Sequence, residues 1–198
     1  MSWFGPRPKL RLRWRLGVLK GWICLPLWRA QSLLGRTRIR VGRGFSLQGR
    51  LILRGPGTVI LGDDVTVDAL TTFYTHSKQA VIQVGDRSYV NGARLGCVSR
   101  IEIGQDGILG DCRIMDTDFH PVHKGRRTSS DAGGIASVKV GKNVWLGAGS
   151  AILKGVKIGD HSVVAFGAVV VKDIPESRIY GGNPARDLGP VPDCPAGL

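Results

Sequence analysis

The residues best suited to acid–base chemistry lie together in the decapeptide IMDTDFHPVH, residues 114–123. Two of the chain's four histidines, His120 and His123, fall within it, and Asp116 and Asp118 precede them. Imidazole has a reference pKa of about 6.5, so a histidine here could accept a proton near neutral pH. Either aspartate, or a backbone carbonyl, could hold the second ring nitrogen and set the tautomer. From spacing alone, His120 can also be an ordinary loop residue.

The cysteines do not indicate a disulfide framework or a structural metal site. Cys24, Cys97, Cys112 and Cys194 form neither a CxxC pair nor a set with zinc-ligand spacing. This usage is typical of a reducing compartment, and we expect a cytoplasmic protein without a metal.

The net charge of +13 is confined to the N-terminal third of the chain. Residues 1–62 contain 13 Lys and Arg and no acidic residue, whereas residues 63–198 contain 15 basic and 15 acidic residues. The distribution therefore predicts a neutral domain with a cationic extension. No nucleic-acid-binding motif accompanies the charge, so nucleic acid is not an expected partner.

The extension, residues 1–38, is also rich in leucine and tryptophan, as in KLRLRWRLGVLKGWICLPLWRAQSLLG. Its apolar runs are shorter than the roughly 20 residues that cross a bilayer. Arginine suits anionic headgroups and tryptophan suits the interface, so we expect an amphipathic segment on the cytoplasmic face of an anionic membrane. We expect Pro26 to divide it into two pieces. The alternative is an amphipathic helix packed on the main domain.

From about residue 39, aliphatic residues recur every six positions. This period fits neither an α-helix nor a simple strand. Each hexad is therefore one short strand with a turn, and three hexads form a triangular coil around the aliphatic side chains. Residues 39–188 are predicted to be an all-β parallel β-helix, followed by a tail, residues 189–198. The aliphatic positions are Val41, Leu47, Leu61, Val67, Val84, Val90, Ile103, Leu109, Met115, Val140, Leu146, Ile152, Ile158, Val164 and Val170, and small or β-branched residues occupy Val144, Ser150, Val156, Ser162 and Ala168.

These hexads, above all NVWLGAGSAILKGVKIGDHSVVAFGAVVVKDIPESRIYGGNPAR, resemble the hexapeptide-repeat acyltransferases. The resemblance implies a left-handed parallel β-helix, a homotrimer, and acetyl-CoA bound in a groove between neighbouring prisms. The HPVH stretch is similar to that of the maltose and galactoside acetyltransferases, which implies that His120 is the catalytic base and that His123 contacts substrate. Asn91 stands near an asparagine that relatives use for the acceptor or the tetrahedral intermediate. A phase slip between Val90 and Ile103 leaves this equivalence open by one residue.

The resemblance also implies an acetyl-CoA site on the later hexads. It would use backbone groups around Ala148, the stretch near Phe166 and Val171, and the cations Lys172 and Arg186 for the phosphates. Relatives often have a very small residue in place of Phe166. This ring could narrow the pantetheine slot or face away from it.

The expected function is acetyl-CoA-dependent O-acetylation of a sugar hydroxyl, in surface polysaccharide or glycolipid biosynthesis. The base is His120, oriented by Asp118, Asp116 or a carbonyl. N-acetylation of an amino sugar is the alternative within the family. Two further alternatives are a zinc enzyme similar to the γ-class carbonic anhydrases, with His76 joining His120 and His123, and a non-catalytic scaffold.

Overall fold

A single helix and twenty short strands make up the computed structural model, which describes residues 8–131 and 133–193; Cys194 lies outside them. In chain order these are α1 Pro8–Leu33, β1 Arg38–Val41, β2 Ser46–Leu47, β3 Arg50–Arg54, β4 Thr58–Leu61, β5 Thr66–Asp68, β6 Leu70–Thr75, β7 Val81–Val84, β8 Tyr89–Asn91, β9 Arg94–Cys97, β10 Arg100–Ile103, β11 Ile108–Leu109, β12 Arg113–Met115, β13 Val138–Val140, β14 Trp145–Leu146, β15 Ala151–Ile152, β16 Lys157–Ile158, β17 Val163–Val164, β18 Val169–Val170, β19 Arg178–Gly181 and β20 Arg186–Pro190.

The strands stack as the three faces of a triangular prism. Sheet A has the order β1-β4-β7-β10-β13-β16, sheet B β2-β5-β8-β11-β14-β17-β19-β20, and sheet C β3-β6-β9-β12-β15-β18. Each coil gives one strand to each sheet, so six coils are complete before β19 begins a seventh. All neighbours are parallel except β19 and β20. The all-β parallel β-helix predicted from the repeat is confirmed.

The predicted inward positions form the core, with two exceptions. From Val140 to Val170 every aliphatic hexad position, and every small residue between them, exposes 3% or less of its surface. Val41, in the first coil, is only partly buried. The prediction for Met115 is wrong, because Ile114 is the residue that is fully buried.

The reason is a shorter turn between sheets B and C. Three residues separate the inward Val90 from Arg94, and three separate Leu109 from Arg113. At the later turn from β14 to β15, four residues separate Leu146 from Ala151. The inward position is therefore reached five residues after Leu109 rather than six. This also accounts for the phase slip after Val90.

Coil stacking is tight at the turns from sheet A to sheet B. A Cβ on Gly141 would lie 2.8 Å from the backbone nitrogen of Asp160 in the next coil, so a side chain does not fit. Ion pairs also join successive coils on this edge, including Arg87 with Asp106 at 2.7 Å. Hydrogen bonds from the Arg87 guanidinium hold the pKa of Asp106 below its ordinary value.

Helix α1 packs across the N-terminal end of the prism. Gly17 and Gly21 allow close approach, since a Cβ on Gly21 would lie 2.9 Å from the Phe45 ring. Trp28 meets Phe45 edge-on, with ring centroids 6.5 Å apart. Arg13 donates to both carboxylate oxygens of Asp68 at 2.8 Å. One side of the helix thus covers the first coil.

The predicted break at Pro26 is wrong, because α1 is continuous from Pro8 to Leu33. Pro26 is exposed, on the side of the helix away from the prism. Proline has no N–H to donate to the carbonyl one turn earlier, and on this side water can donate to that carbonyl instead. Within the described residues, no helix has both the length and the hydropathy to cross a membrane.

We expect Gly21→Leu to weaken the contact between α1 and the prism. The leucine improves helix propensity by roughly 1 kcal/mol, but overpacking against Phe45 costs about 1–3 kcal/mol. Thermal unfolding should begin at a lower temperature, and limited proteolysis should cut the helix sooner. Ala30→Leu, at an exposed helix position, is the matched control and should change neither. Equal behaviour of the two variants would show that the glycine contact does not hold the helix.

Candidate active site

The longest interruption of the coils is the loop that joins β12 to β13, residues 116–137. It leaves sheet C and returns to sheet A, at what we call the C–A edge; the turns from sheet B to sheet C form the B–C edge. The loop is fastened at its base, where Asp118 N–H donates to the Gly134 carbonyl at 3.0 Å and Ala136 N–H donates to the Asp116 carbonyl at 2.9 Å. Its two ends are therefore held together on the prism.

Asp116 anchors the loop to the coil below. Its carboxylate is fully buried and accepts the backbone N–H groups of Val98, Ser99 and Arg100 at 2.7–2.8 Å. The Cys97 sulfur lies 3.4 Å from the same carboxylate, and burial, with the charge of Asp116, raises the pKa of this thiol far above its usual range. Asp116 is thus committed to the backbone, and Cys97 stays protonated.

Asp118 is paired with a cation of the coil above. The Lys154 ammonium lies 2.8 Å from the Asp118 carboxylate, and both side chains are partly buried. Within the described residues Asp118 makes no hydrogen bond to His120. In a single chain this carboxylate therefore holds the loop against the prism. Lys154 carried no signal in the sequence, because its hexad position has no defining residue type.

Phe119 places the loop against sheet C. Its backbone has a φ of 59°, held by a 3.0 Å hydrogen bond from its N–H to Thr117 Oγ1. The ring lies over Gly96, where a Cβ would come within 2.8 Å of the ring tip. The His76 ring meets it edge-on, with centroids 4.7 Å apart. These contacts fix the residue that directly precedes His120.

His120 and His123 are both exposed on this loop. The His120 carbonyl lies against Gly133, whose φ is +77° and whose Cβ position is only 2.6 Å from that oxygen. No side-chain hydrogen bond to His120 is present among the described residues. The backbone of His120 is therefore constrained, while its side chain is exposed.

A cavity of about 360 Å³ lies beside Phe119 on the outer face of sheet C. Sequence reasoning did not predict it, because Tyr74, Arg94 and Arg113 are at outward strand positions that the repeat leaves variable, and His76 and Phe119 lie outside the strands. Its walls are three aromatic or imidazole rings, a thioether and two guanidinium groups: Tyr74, His76, Phe119, Met115, Arg94 and Arg113.

The other predicted residues are divided between the two edges of sheet C. Asn91 ends β8, and Ala148 and Phe166 lie in the turns after β14 and β17, so all three are on the B–C edge. Arg186 begins β20, and the Ala185 N–H beside it donates to the Val169 carbonyl at 2.8 Å at the same edge.

Val171 and Lys172 follow β18 and are on the C–A edge with His120. One chain therefore does not bring all the predicted residues together. The Phe166 ring is 80% exposed, so it stands out from the B–C edge. Lys172 and Arg186 are also exposed. Among residues 8–131 and 133–193, no three His, Cys, Asp or Glu side chains form a group that could hold a metal.

Sequence comparison relates the repeat to known transferases. The family described as Bacterial transferase hexapeptide (six repeats) matches residues 137–172. The galactoside O-acetyltransferase of Escherichia coli K12 is 32% identical over 93 residues, which are 47% of this chain and 45% of that protein. The chain spans about half the length of the relatives it matches in this way.

Solved structures share the fold across most of the chain. The polysialic acid O-acetyltransferase OatWY matches with a TM-score of 0.65 and 22% identity, over 82% of this chain and 80% of that one. A variant of the N-acyltransferase AntD from Bacillus cereus, in complex with dTDP and coenzyme A, matches with a TM-score of 0.65 and 20% identity, over 83% and 89%. These likenesses confirm the left-handed β-helix. In sequence, the likeness to hexapeptide-repeat transferases is carried by residues 137–172.

Proposed function

We propose that this protein transfers an acetyl group from acetyl-CoA to a sugar hydroxyl, with His120 as the general base. The observation that carries the proposal is the open imidazole of His120 on a loop fastened by Asp116, Asp118 and Phe119. The galactoside O-acetyltransferase relative supports oxygen as the acceptor atom. The acceptor that we favour is a saccharide of polysaccharide or glycolipid assembly.

The proposed chemistry needs a base at one place and a hydrogen-bond donor at another. Acetyl-CoA supplies the acetyl thioester. His120 takes the hydroxyl proton as the new C–O bond forms, and it returns that proton to the departing sulfur when the C–S bond breaks. Asn91 would donate to the carbonyl oxygen that becomes negative in the tetrahedral intermediate. The exposed cations Lys172 and Arg186 suit the nucleotide phosphates, and the partly exposed turn at Ala148 would contact the pantetheine chain.

We also propose that the working unit is a homotrimer. The division of the predicted residues between the C–A edge and the B–C edge supports this, because the C–A edge of one copy can face the B–C edge of the next. His120 from one copy would then meet Asn91, Ala148 and Phe166 from its neighbour.

The N-terminal helix is proposed to dock the protein on an anionic membrane. Opposite the side that packs on the prism, five aliphatic residues at helical spacing are 58–63% exposed: Leu12, Leu16, Leu19, Ile23 and Leu27. Trp22, 73% exposed, and Arg15 border this stripe, and α1 contains no acidic residue. An apolar stripe bordered by cations and tryptophan suits the interface of an anionic leaflet. This proposal places the protein peripherally on the cytoplasmic face.

We expect His120→Ala to lower acetyl transfer by roughly 10²- to 10⁴-fold. The fold and acetyl-CoA binding should persist, because the side chain is exposed and leaves no cavity. His123→Ala is the matched control on the same loop and should cost much less. Transfer should be measured on a panel of neutral, acidic and amino sugars, with thermal unfolding and acetyl-CoA affinity on the same samples. Near-full activity of folded His120→Ala would remove the general-base assignment, and transfer to amino groups alone would replace O-acetylation by N-acetylation.

Complementation between inactive variants tests the shared site. Preparations of His120→Ala and Asn91→Ala, each of low activity, should regain activity when they are unfolded together and refolded as mixed trimers. If the two residues come from different copies, about a quarter of the sites in a random mixture have both native side chains. No recovery in assemblies shown by native mass spectrometry to be mixed, or a monomeric mass, would contradict the shared site.

Vesicle binding tests the exposed stripe. The full chain should sediment with vesicles that contain phosphatidylglycerol, and Leu19→Ser/Ile23→Ser should weaken this by more than about tenfold, because both side chains would be buried in the interface. Leu70→Ser/Leu188→Ser removes two exposed leucines from the prism and should bind normally. Salt should weaken binding only in part, since it screens the charges alone. Unchanged binding of the helix variant would contradict membrane docking.

A further inference from the structure

Two arginines line the cavity beside Phe119. Arg94 on β9 and Arg113 on β12 are register partners in neighbouring strands of sheet C, and both side chains are exposed on the outer face. Neighbouring strands are about 4.8 Å apart, so the two side chains leave the sheet side by side. The Arg94 guanidinium lies 5.2 Å from the centre of the Tyr74 ring, and that of Arg54 lies 5.7 Å from it. Stacking on Tyr74 thus restrains the Arg94 and Arg54 side chains, and Arg113 is the third cation of this cluster.

This positive charge is not compensated within the described part of the chain. Arg94, Arg113 and Arg54 form no ion pair there, whereas arginines elsewhere on the prism, such as Arg87 and Arg178, are paired with carboxylates. Two carboxylates of the loop are already used, because Asp116 is bound by backbone N–H groups and Asp118 by Lys154, and Asp111 in the turn before Arg113 forms no ion pair with these arginines. Adjacent guanidinium groups repel each other unless an anion lies between them. The arginine side of the cavity is therefore suited to a carboxylate or phosphate, which guanidinium binds with two parallel hydrogen bonds.

The walls of the cavity suit a saccharide ring. Tyr74, His76 and Phe119 present flat faces or edges, and Met115 adds an apolar contact. The volume of about 360 Å³ is within the range of small-molecule sites. Aromatic side chains can pack on the C–H face of a sugar, while the guanidinium groups of the lining fix its orientation.

The position of the cavity indicates that the anion bound by these arginines belongs to the acceptor and not to acetyl-CoA. It is formed by the second, third and fourth coils and by the residue before His120. The residues proposed for acetyl-CoA, including Ala148 and Lys172, are on the fifth and later coils. The His120 loop thus lies between the two regions, where a base must stand to serve both substrates.

We propose that the acceptor is an anionic saccharide, a sugar with a carboxylate or a phosphate, and that Arg94 and Arg113 bind its negative group. This inference rests on the proposed function. It adds the class of the acceptor and two residues that select it.

The test compares matched acceptors on the full-length protein. A hexuronate and a hexose 1-phosphate should each be acetylated with a higher kcat/KM than the corresponding neutral methyl hexoside. In Arg94→Gln/Arg113→Gln the values for the anionic sugars should fall by roughly 10- to 100-fold, mainly through KM, and the value for the methyl hexoside should not fall. Acetyl-CoA affinity, measured by calorimetry, should be unchanged. Arg94→Lys/Arg113→Lys should restore part of the loss, and Arg40→Gln on sheet A is the control for a lost surface charge.

Direct binding separates this inference from the proposed function. Saturation-transfer NMR of the same sugars, in the presence of coenzyme A, detects acceptor binding without catalysis. Binding of the anionic sugars that disappears in Arg94→Gln/Arg113→Gln would support the inference even if no acetyl transfer were observed, a result that would count against the proposed function alone. Equal binding and transfer of neutral and anionic sugars would overturn the inference. So would a loss of acetyl-CoA affinity in that variant, since the arginines would then bind nucleotide phosphate.

Discussion

The structure depends on the register of one coil upon the next. Each coil forms its backbone hydrogen bonds with the coils above and below, so a residue that faces inward in one coil must lie over inward residues in its neighbours. Val140, Ile158 and the other buried aliphatic residues meet this requirement, and close turns such as that of Gly141 leave no space for a side chain. The regular part of the prism has little freedom, and chemistry must therefore be carried by the edges and by a loop that leaves them.

Such a loop must be fastened back if it is to hold a side chain in place. Three different interactions serve the segment around His120: a buried carboxylate in Asp116, a partly buried ion pair between Asp118 and Lys154, and an aromatic ring over Gly96. Asp116 and Phe119 both contact the third coil and Asp118 contacts the fifth, so the loop is held to the coils below and above it. The support for the candidate base thus comes from the rigid coils, while the imidazole itself stays exposed.

The sequence predicted the coils well because burial imposes a strict period on them. The inward position predicted for Met115 was wrong, because the six-residue period does not show that one turn is a residue shorter. The predicted break of α1 at Pro26 was also wrong, because only the packing of the helix shows that Pro26 lies on its exposed side. The candidate loop was found through its loss of periodicity. The cavity was not predicted from the sequence, because Arg94 and Arg113 are 19 residues apart at outward positions. Only the stacking of their coils makes them neighbours.

The two ends of sheet B carry different elements: α1 packs against β2 at one end, and the antiparallel strand β20 pairs with β19 at the other. A parallel solenoid otherwise ends in strands whose free N–H and C=O groups can accept another strand. Repeat proteins with open ends are prone to join end to end into fibres, and terminal elements of different structure prevent this. The N-terminal helix therefore covers the first coil, and the reversal of strand direction at β20 means that another parallel coil would not meet a parallel strand at that edge of sheet B.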